Sequence, residues 1–231
     1  MAAPDARTPV ADRVFSRLCE DVLSGRYEPA EKLPTQRALA AELAVNMAPV
    51  REAVKRLEQL GLVEVRHGDA MRVTDWRASG GLDVIAHVLF AAGGLDRDTL
   101  AHLMEARRLM LAEAARLAAE RRDDDQARRL TALATRIAEA PDAQAAQALD
   151  FAFFAELVDA ARNVVLVLVM NSIRQVYFER AELFAAVVGE ETMPLYARAS
   201  RAVARGQASA AAGAVAELAA VQERLLMESL P

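Results

Sequence analysis

Between Leu33 and Thr74 the chain packs two short helical patterns and a hairpin pattern with almost no residues left for connections. Leu33-Pro34 leads into Thr35, an N-cap for a helix carrying Leu39 and Leu43 on one face. Ala44-Val45 makes a brief turn, Asn46 caps a second helix, and Pro49 falls in its first turn, where a missing N–H costs little. That helix runs through Val50, Val54, Leu57 and Leu60, and Gly61 ends it. Two helices joined by so short a turn make a helix-turn-helix. Leu62 to Arg66 then alternates apolar and polar residues, His67-Gly68-Asp69 turns the chain, and Met71-Arg72-Val73-Thr74 reads as the returning strand. A two-stranded wing directly behind a helix-turn-helix is a winged helix. In that arrangement the second helix enters the major groove of DNA and the wing approaches the adjacent minor groove.

Upstream, Val14, Leu18 and Val22 with Phe15, Cys19 and Leu23 mark an amphipathic helix over Asp12 to Ser24, stopped by Gly25. Cys19 is the single cysteine and is expected on the buried face of that helix; it cannot form an internal disulfide. The first residues lack the apolar core of a signal peptide. The longest apolar run, Val164 to Met170, is far too short to span a membrane. A cytoplasmic protein with no membrane partner is expected. Charge is silent about DNA: the net charge is −5, and residues 1–78 carry equal numbers of basic and acidic side chains. The chain shows no Ser-His-Asp arrangement, phosphate-binding glycine loop or metal-ligand spacing, so it does not read as an enzyme.

Residues 76–95 read as a linker and connecting helix, with Trp76 at the junction and a helix from Leu82 to Ala92. From residue 96 onward every periodic stretch has helical spacing. Asp96 or Asp98 caps a long helix through Leu100, Met104, Leu111 and Leu117. Asp123-Asp124-Asp125 suits a helix N-terminus better than a metal cluster, and Pro141-Asp142 starts a helix through Leu149, Phe153 and Leu157. Asn163 starts what reads as the most buried helix; its Val-Val-Leu-Val-Leu-Val-Met run has strand composition, but Ile173, Val176 and Tyr177 keep the helical period. Two more helices follow, near Pro194 to Ala204 and Ala208 to Leu230. The expected fold is mainly α: a winged helix-turn-helix over residues 10–75 and an all-α antiparallel helical bundle over 96–231.

The first segment resembles the GntR family of bacterial regulators, through Leu33-Pro34-Thr35-Gln36-Arg37, Pro49-Val50-Arg51-Glu52-Ala53-Val54, Leu57 and Gly61-Leu62-Val63. Asp75-Trp76 and Ser79 to Ile85 point to its FadR subfamily. The resemblance implies DNA contacts by Arg37 and Arg51, a recognition helix led into the groove by Asn46, Met47 and Ala48, and a wing tip at His67 and Gly68. Met47 departs from the pattern, because most relatives carry a second arginine there; operator sequence or affinity should differ accordingly. By residue type alone, Arg51 could equally be an exposed helix charge beside Glu52 and Lys55, and His67 a solvated wing residue.

The second segment resembles the FCD effector domain of FadR-type regulators, through Glu105-Ala106-Arg107, Asp150-Phe151-Ala152-Phe153-Phe154, Ala160-Ala161-Arg162-Asn163 and Ala202-Val203-Ala204-Arg205-Gly206. Many such domains hold a divalent metal with one aspartate and three histidines. Here Asp150 remains, but the histidine positions fall on Phe154, Tyr196 and the stretch near Leu218 to Ala220, so no metal and no cofactor are expected. The resemblance implies an effector pocket with Arg107, Asp150, Phe154, Asn163, Met170 and Tyr196. Arg107 would pair with a carboxylate or phosphate, and the effector would be a fatty acyl-CoA or an organic acid. Core packing for the aromatics, a buried salt bridge of Arg107 with Asp150 or Glu105, and a helix cap for Asn163 are the structural alternatives. The expected protein is a ligand-responsive homodimeric transcription regulator, repressor or activator, on a palindromic operator. The alternative is a DNA-binding dimer whose bundle only dimerises.

Overall fold

Helical periodicity puts Val14, Phe15, Leu18, Cys19 and Val22 on one face of α1 (Val10–Leu23), and all five are buried. They meet Val50, Ala53, Val54 and Leu57, the buried face of α3 (Met47–Gln59), in one apolar core. The computed structural model describes residues 9–65, 71–91, 94–179, 181–184 and 187–230, which form two compact units divided between Thr99 and Leu100.

In the first unit, α2 (Gln36–Glu42) starts at Thr35, whose hydroxyl accepts from Ala38 N at 3.2 Å. Ala44 turns the chain into α3 with φ +51, a left-handed conformation without a glycine. Asn46 takes the N-cap position of α3 as expected, yet its side chain makes no capping bond. Arg56 fastens α3 to α1 twice: its guanidinium lies 3.9 Å from the Phe15 ring centre and 2.6 Å from Asp12 Oδ1. The wing pairs β1 (Val63–Glu64) with β2 (Arg72–Val73), antiparallel, with Val63 opposite Val73. On the other edge of β2, Ala30 N donates to Val73 O at 2.8 Å and Leu33 N to Met71 O at 2.9 Å. The stretch between α1 and α2, given no element from the sequence, thus pairs with β2 through an isolated bridge of Lys32 with Arg72.

Residues 76–91 belong with this unit. The stretch expected as linker instead opens with α4 (Trp76–Ser79), because Asp75 accepts from Arg77 N and caps it. A short 3₁₀ turn, Leu82–Val84, runs into α5 (Ile85–Leu89). Val84, Val88 and Trp76 pack on the winged-helix core, and the His87 ring meets Phe15 edge-on at 5.3 Å.

The second unit is an antiparallel helical bundle: α6 (Arg97–Arg121), α7 (Asp124–Ala138), α8 (Ala143–Ala160), α9 (Val164–Glu179), α10 (Ala181–Phe184), α11 (Met193–Ala204) and α12 (Ala208–Ser229). Its starts follow the expected carboxylates. Asp96 accepts from Thr99 N, Asp142 from Ala145 N, and Asp123 forms a capping box with Gln126. The core gathers small residues of α6 with Phe153, Phe154, Leu157, Tyr196, Val203, Val215 and Leu218. One expectation fails. The helix after Asn163 is not the most buried: Val164, Val165 and Leu168 of α9 are 69%, 61% and 60% exposed. An apolar run that length cannot all face a single neighbour, so one side of α9 meets α8 and the other is left in solvent.

Candidate DNA-binding surface and bundle cleft

Burial of Val50, Ala53, Val54 and Leu57 turns the opposite side of α3 outward, and on it lie Ala48, Arg51 and Lys55, all exposed. Met47 is half-buried, packed in part on the core. Asn46, just ahead of them, is exposed. Arg37, at the start of α2, is exposed too. Neither Arg37 nor Arg51 has a hydrogen-bond or ion-pair partner among the described residues, so Arg51 is not engaged by its helix neighbour Glu52. Uncommitted guanidiniums on a rigid helix suit bidentate contacts to guanine or phosphate. His67 and Gly68 lie outside the described residues. Cys19 sits deep in this unit; burial pushes its thiol up to about 12, Arg56 opposing, so it is inert.

The bundle holds a second candidate site. Arg107 and Leu111 of α6, Asp150 and Phe154 of α8, and Met170 and Tyr177 of α9 line a mostly apolar cleft. Its free interior is only about 30 Å³. At its polar end Asp150 accepts three hydrogen bonds: Tyr177 Oη to Oδ2 at 2.6 Å, Tyr196 Oη to Oδ1 at 2.5 Å, and Gln222 Nε2 to Oδ1 at 2.8 Å. Gln222 also donates to Tyr196 Oη at 2.7 Å, and its Oε1 accepts from Arg107 Nη2 at 2.9 Å. Burial, reinforced by the Asp150 carboxylate, raises both phenols above the ordinary tyrosine range, so each keeps its proton and acts as donor.

Arg107 therefore pairs with neither Asp150 nor Glu105 but with the amide of Gln222. Its guanidinium lies 4.7 Å from the Phe154 ring centre, and its buried Nη1 has no partner among the described residues. Of the six effector residues expected from sequence, the cleft brings together Arg107, Asp150, Phe154 and Met170. Tyr196 is fully buried behind Asp150 and does not line the cleft. Asn163 stands at the start of α9, where its side chain accepts from Val165 N at 3.1 Å. Sequence reading missed Tyr177 and Gln222. Gln222 had a signal: it interrupts the buried stripe of α12 between Leu218 and Leu226.

The residues here do not fit the metal of related domains. Phe154 and Tyr196 stand where the resemblance implies imidazoles, both Asp150 oxygens are engaged by neutral donors, and Arg107 adds a positive charge. Among the described residues no cluster of three metal-ligating side chains occurs.

Comparison with known proteins decides the lineage. The family model for bacterial regulatory proteins of the gntR family matches residues 10–73, and that for the FCD domain matches residues 102–220. The chain belongs to the GntR family. It is a DNA-binding transcription regulator with a C-terminal FCD domain, not an enzyme. It is 38% identical over 174 residues to the HTH-type transcriptional regulator Mce2R of Mycobacterium tuberculosis, covering 75% of this chain and 72% of that one. To LutR of Bacillus subtilis it is 31% identical, covering 68% and 71%. To the fatty acid metabolism regulator protein of Edwardsiella ictaluri it is 28% identical, covering 69% and 66%. Among solved structures, Lar of Listeria monocytogenes superposes with a TM-score of 0.61 at 19% identity, covering 98% of this chain and 100% of that one. A GntR protein of Streptococcus agalactiae gives 0.50 at 24%, covering 93% and 99%. Among the described residues no helix is long and apolar enough to cross a membrane.

Proposed function

We propose that this GntR regulator binds a two-fold symmetric operator as a homodimer, with α3 in the major groove, and answers to an anionic effector held between α6, α8 and α9. Arg37 and Arg51 contact DNA, with Asn46, Met47 and Ala48 at the groove and His67 and Gly68 at the wing tip. The observation that carries the effector reading is Arg107: a buried N–H without a partner, at the polar end of an apolar cleft. A buried donor left unmade costs roughly 1–3 kcal/mol, and a carboxylate or phosphate of the effector would satisfy it. The apolar walls suit an acyl chain or a small organic acid, and similarity to a fatty acid metabolism regulator supports the first. Exposed Val164, Val165 and Leu168 on α9 support a second copy of the chain as partner.

One observation favours a bundle that only dimerises. A free interior of about 30 Å³ holds little more than a water, so any acyl effector must first spread α9 from α6 and α8. Thermal unfolding with a long-chain acyl-CoA, a medium-chain fatty acid and a dicarboxylate separates the two readings. A concentration-dependent rise in Tm that Arg107→Met abolishes supports the effector site; no rise with any of them supports dimerisation alone. In parallel, fluorescence anisotropy on DNA from the regulator's own upstream region tests α3. Arg51→Ala should weaken sequence-selective binding by roughly 1–3 kcal/mol.

A further inference from the structure

The first turn of α3 offers solvent an amide and apolar surface where a DNA-reading helix commonly offers cations. Asn46 is exposed, and because its side chain makes no capping bond its amide is uncommitted. Met47 rests partly on the winged-helix core and leaves the remainder in solvent, and Ala48 is exposed. Arg51, one turn further, is exposed and unpartnered among the described residues.

We infer that Met47 and Ala48 read thymine: each operator half-site carries a T·A pair whose 5-methyl group lies against these two side chains. This rests on the placement of α3 in the major groove proposed above. In that groove thymine alone presents a methyl group; guanine, adenine and cytosine present ring nitrogens, carbonyl oxygens or amino groups. An apolar side chain over any of those polar edges strips its water and returns no hydrogen bond, so the pairing selects against them as well as for thymine. The packing of Met47 on the core restrains the thioether before DNA arrives, which lowers the entropy lost on contact. The Asn46 amide complements the N6 and N7 edge of an adenine beside it. Met47 and Arg51 are separated by about 6 Å along the helix axis.

The full-length protein first selects its operator from a randomised duplex pool. Each thymine of the half-site is then replaced singly by deoxyuridine, which removes only the methyl, and binding is read by anisotropy at fixed salt. Wild type, Met47→Ala, Ala48→Gly and Arg51→Ala are compared, each checked for folding by circular dichroism. Uridine at one or two neighbouring positions should weaken wild-type binding about fourfold per methyl. Met47→Ala or Ala48→Gly should erase that difference. Indifference to uridine everywhere, with Arg51→Ala still weakening binding, overturns the thymine inference and leaves α3 in the groove. Indifference to uridine and to Arg51→Ala removes both. A uridine effect that survives both apolar substitutions overturns the assignment to these residues.

Discussion

The Tyr196 hydroxyl lies 2.5 Å from Asp150 Oδ1, joining α11 to α8 through a carboxylate that is only 1% exposed. Tyr196→Phe removes one donor from that carboxylate and one acceptor from Gln222, and should cost the bundle about 2 kcal/mol. Asp150→Ala, which strands two phenols and an amide, should cost about 3 kcal/mol. Urea unfolding followed by helical circular dichroism measures both. A loss for Tyr196→Phe within error of zero would mean the network carries no stability.

Two backbone positions should respond to substitution with opposite signs. Ala44 is exposed with φ +51, so Ala44→Gly relieves left-handed strain and should stabilise the first unit by about 0.5 kcal/mol. Gly61 has φ +70, and an added Cβ there would lie 2.8 Å from Ser79 O. Gly61→Ala should therefore destabilise by about 2 kcal/mol or more. Thermal melts of the two variants decide; equal shifts in one direction would refute the strain assignment.

Cys19 provides a pH signature. Its thiol titrates at about 12 when folded against an ordinary 9.0. A folded value raised above the unfolded one means the unfolded chain releases its proton first as pH rises. The stabilising contribution is fully present below pH 9 and is lost between 9 and about 12. Unfolding midpoints across that range should fall less steeply in Cys19→Ala than in wild type. Identical slopes would place the thiol in contact with water.

The exposed apolar face of α9 yields a test of assembly. Leu168, 60% exposed, contributes little to the bundle core. Leu168→Glu should leave the melting of a monomer unchanged and shift sedimentation equilibrium from dimer toward monomer by tenfold or more in Kd, the effect expected of a charge on an apolar interface. An unaltered sedimentation profile would overturn the proposed dimer contact on α9.

The helix-turn-helix was legible because its rules are local. Thr35 caps, Pro49 sits in a first turn, Gly61 stops a helix, and the apolar spacing names the buried face before any partner is known. The bundle helices were legible for the same reason, through Asp123 and Asp142. The pairing of residues 30–33 with β2 was not, since it exists only once β2 lies beside them.

The cleft divides the same way. The resemblance to the FCD domain marked Arg107, Asp150 and Phe154, and the absence of histidines at the matching positions spoke against a metal. Which group meets which depended on packing between distant helices. Tyr177, Tyr196 and Gln222 reach one carboxylate from α9, α11 and α12, and Arg107 finds an amide where a carboxylate was an open alternative. Local rules act within a few residues and survive in any context, so the amino-acid order alone determined the elements and the family. A hydrogen bond across 72 residues, as between Gln222 and Asp150, has no local precursor. Only the burial that excludes water from the bundle makes those partners obligatory, and only the fold decides who they are.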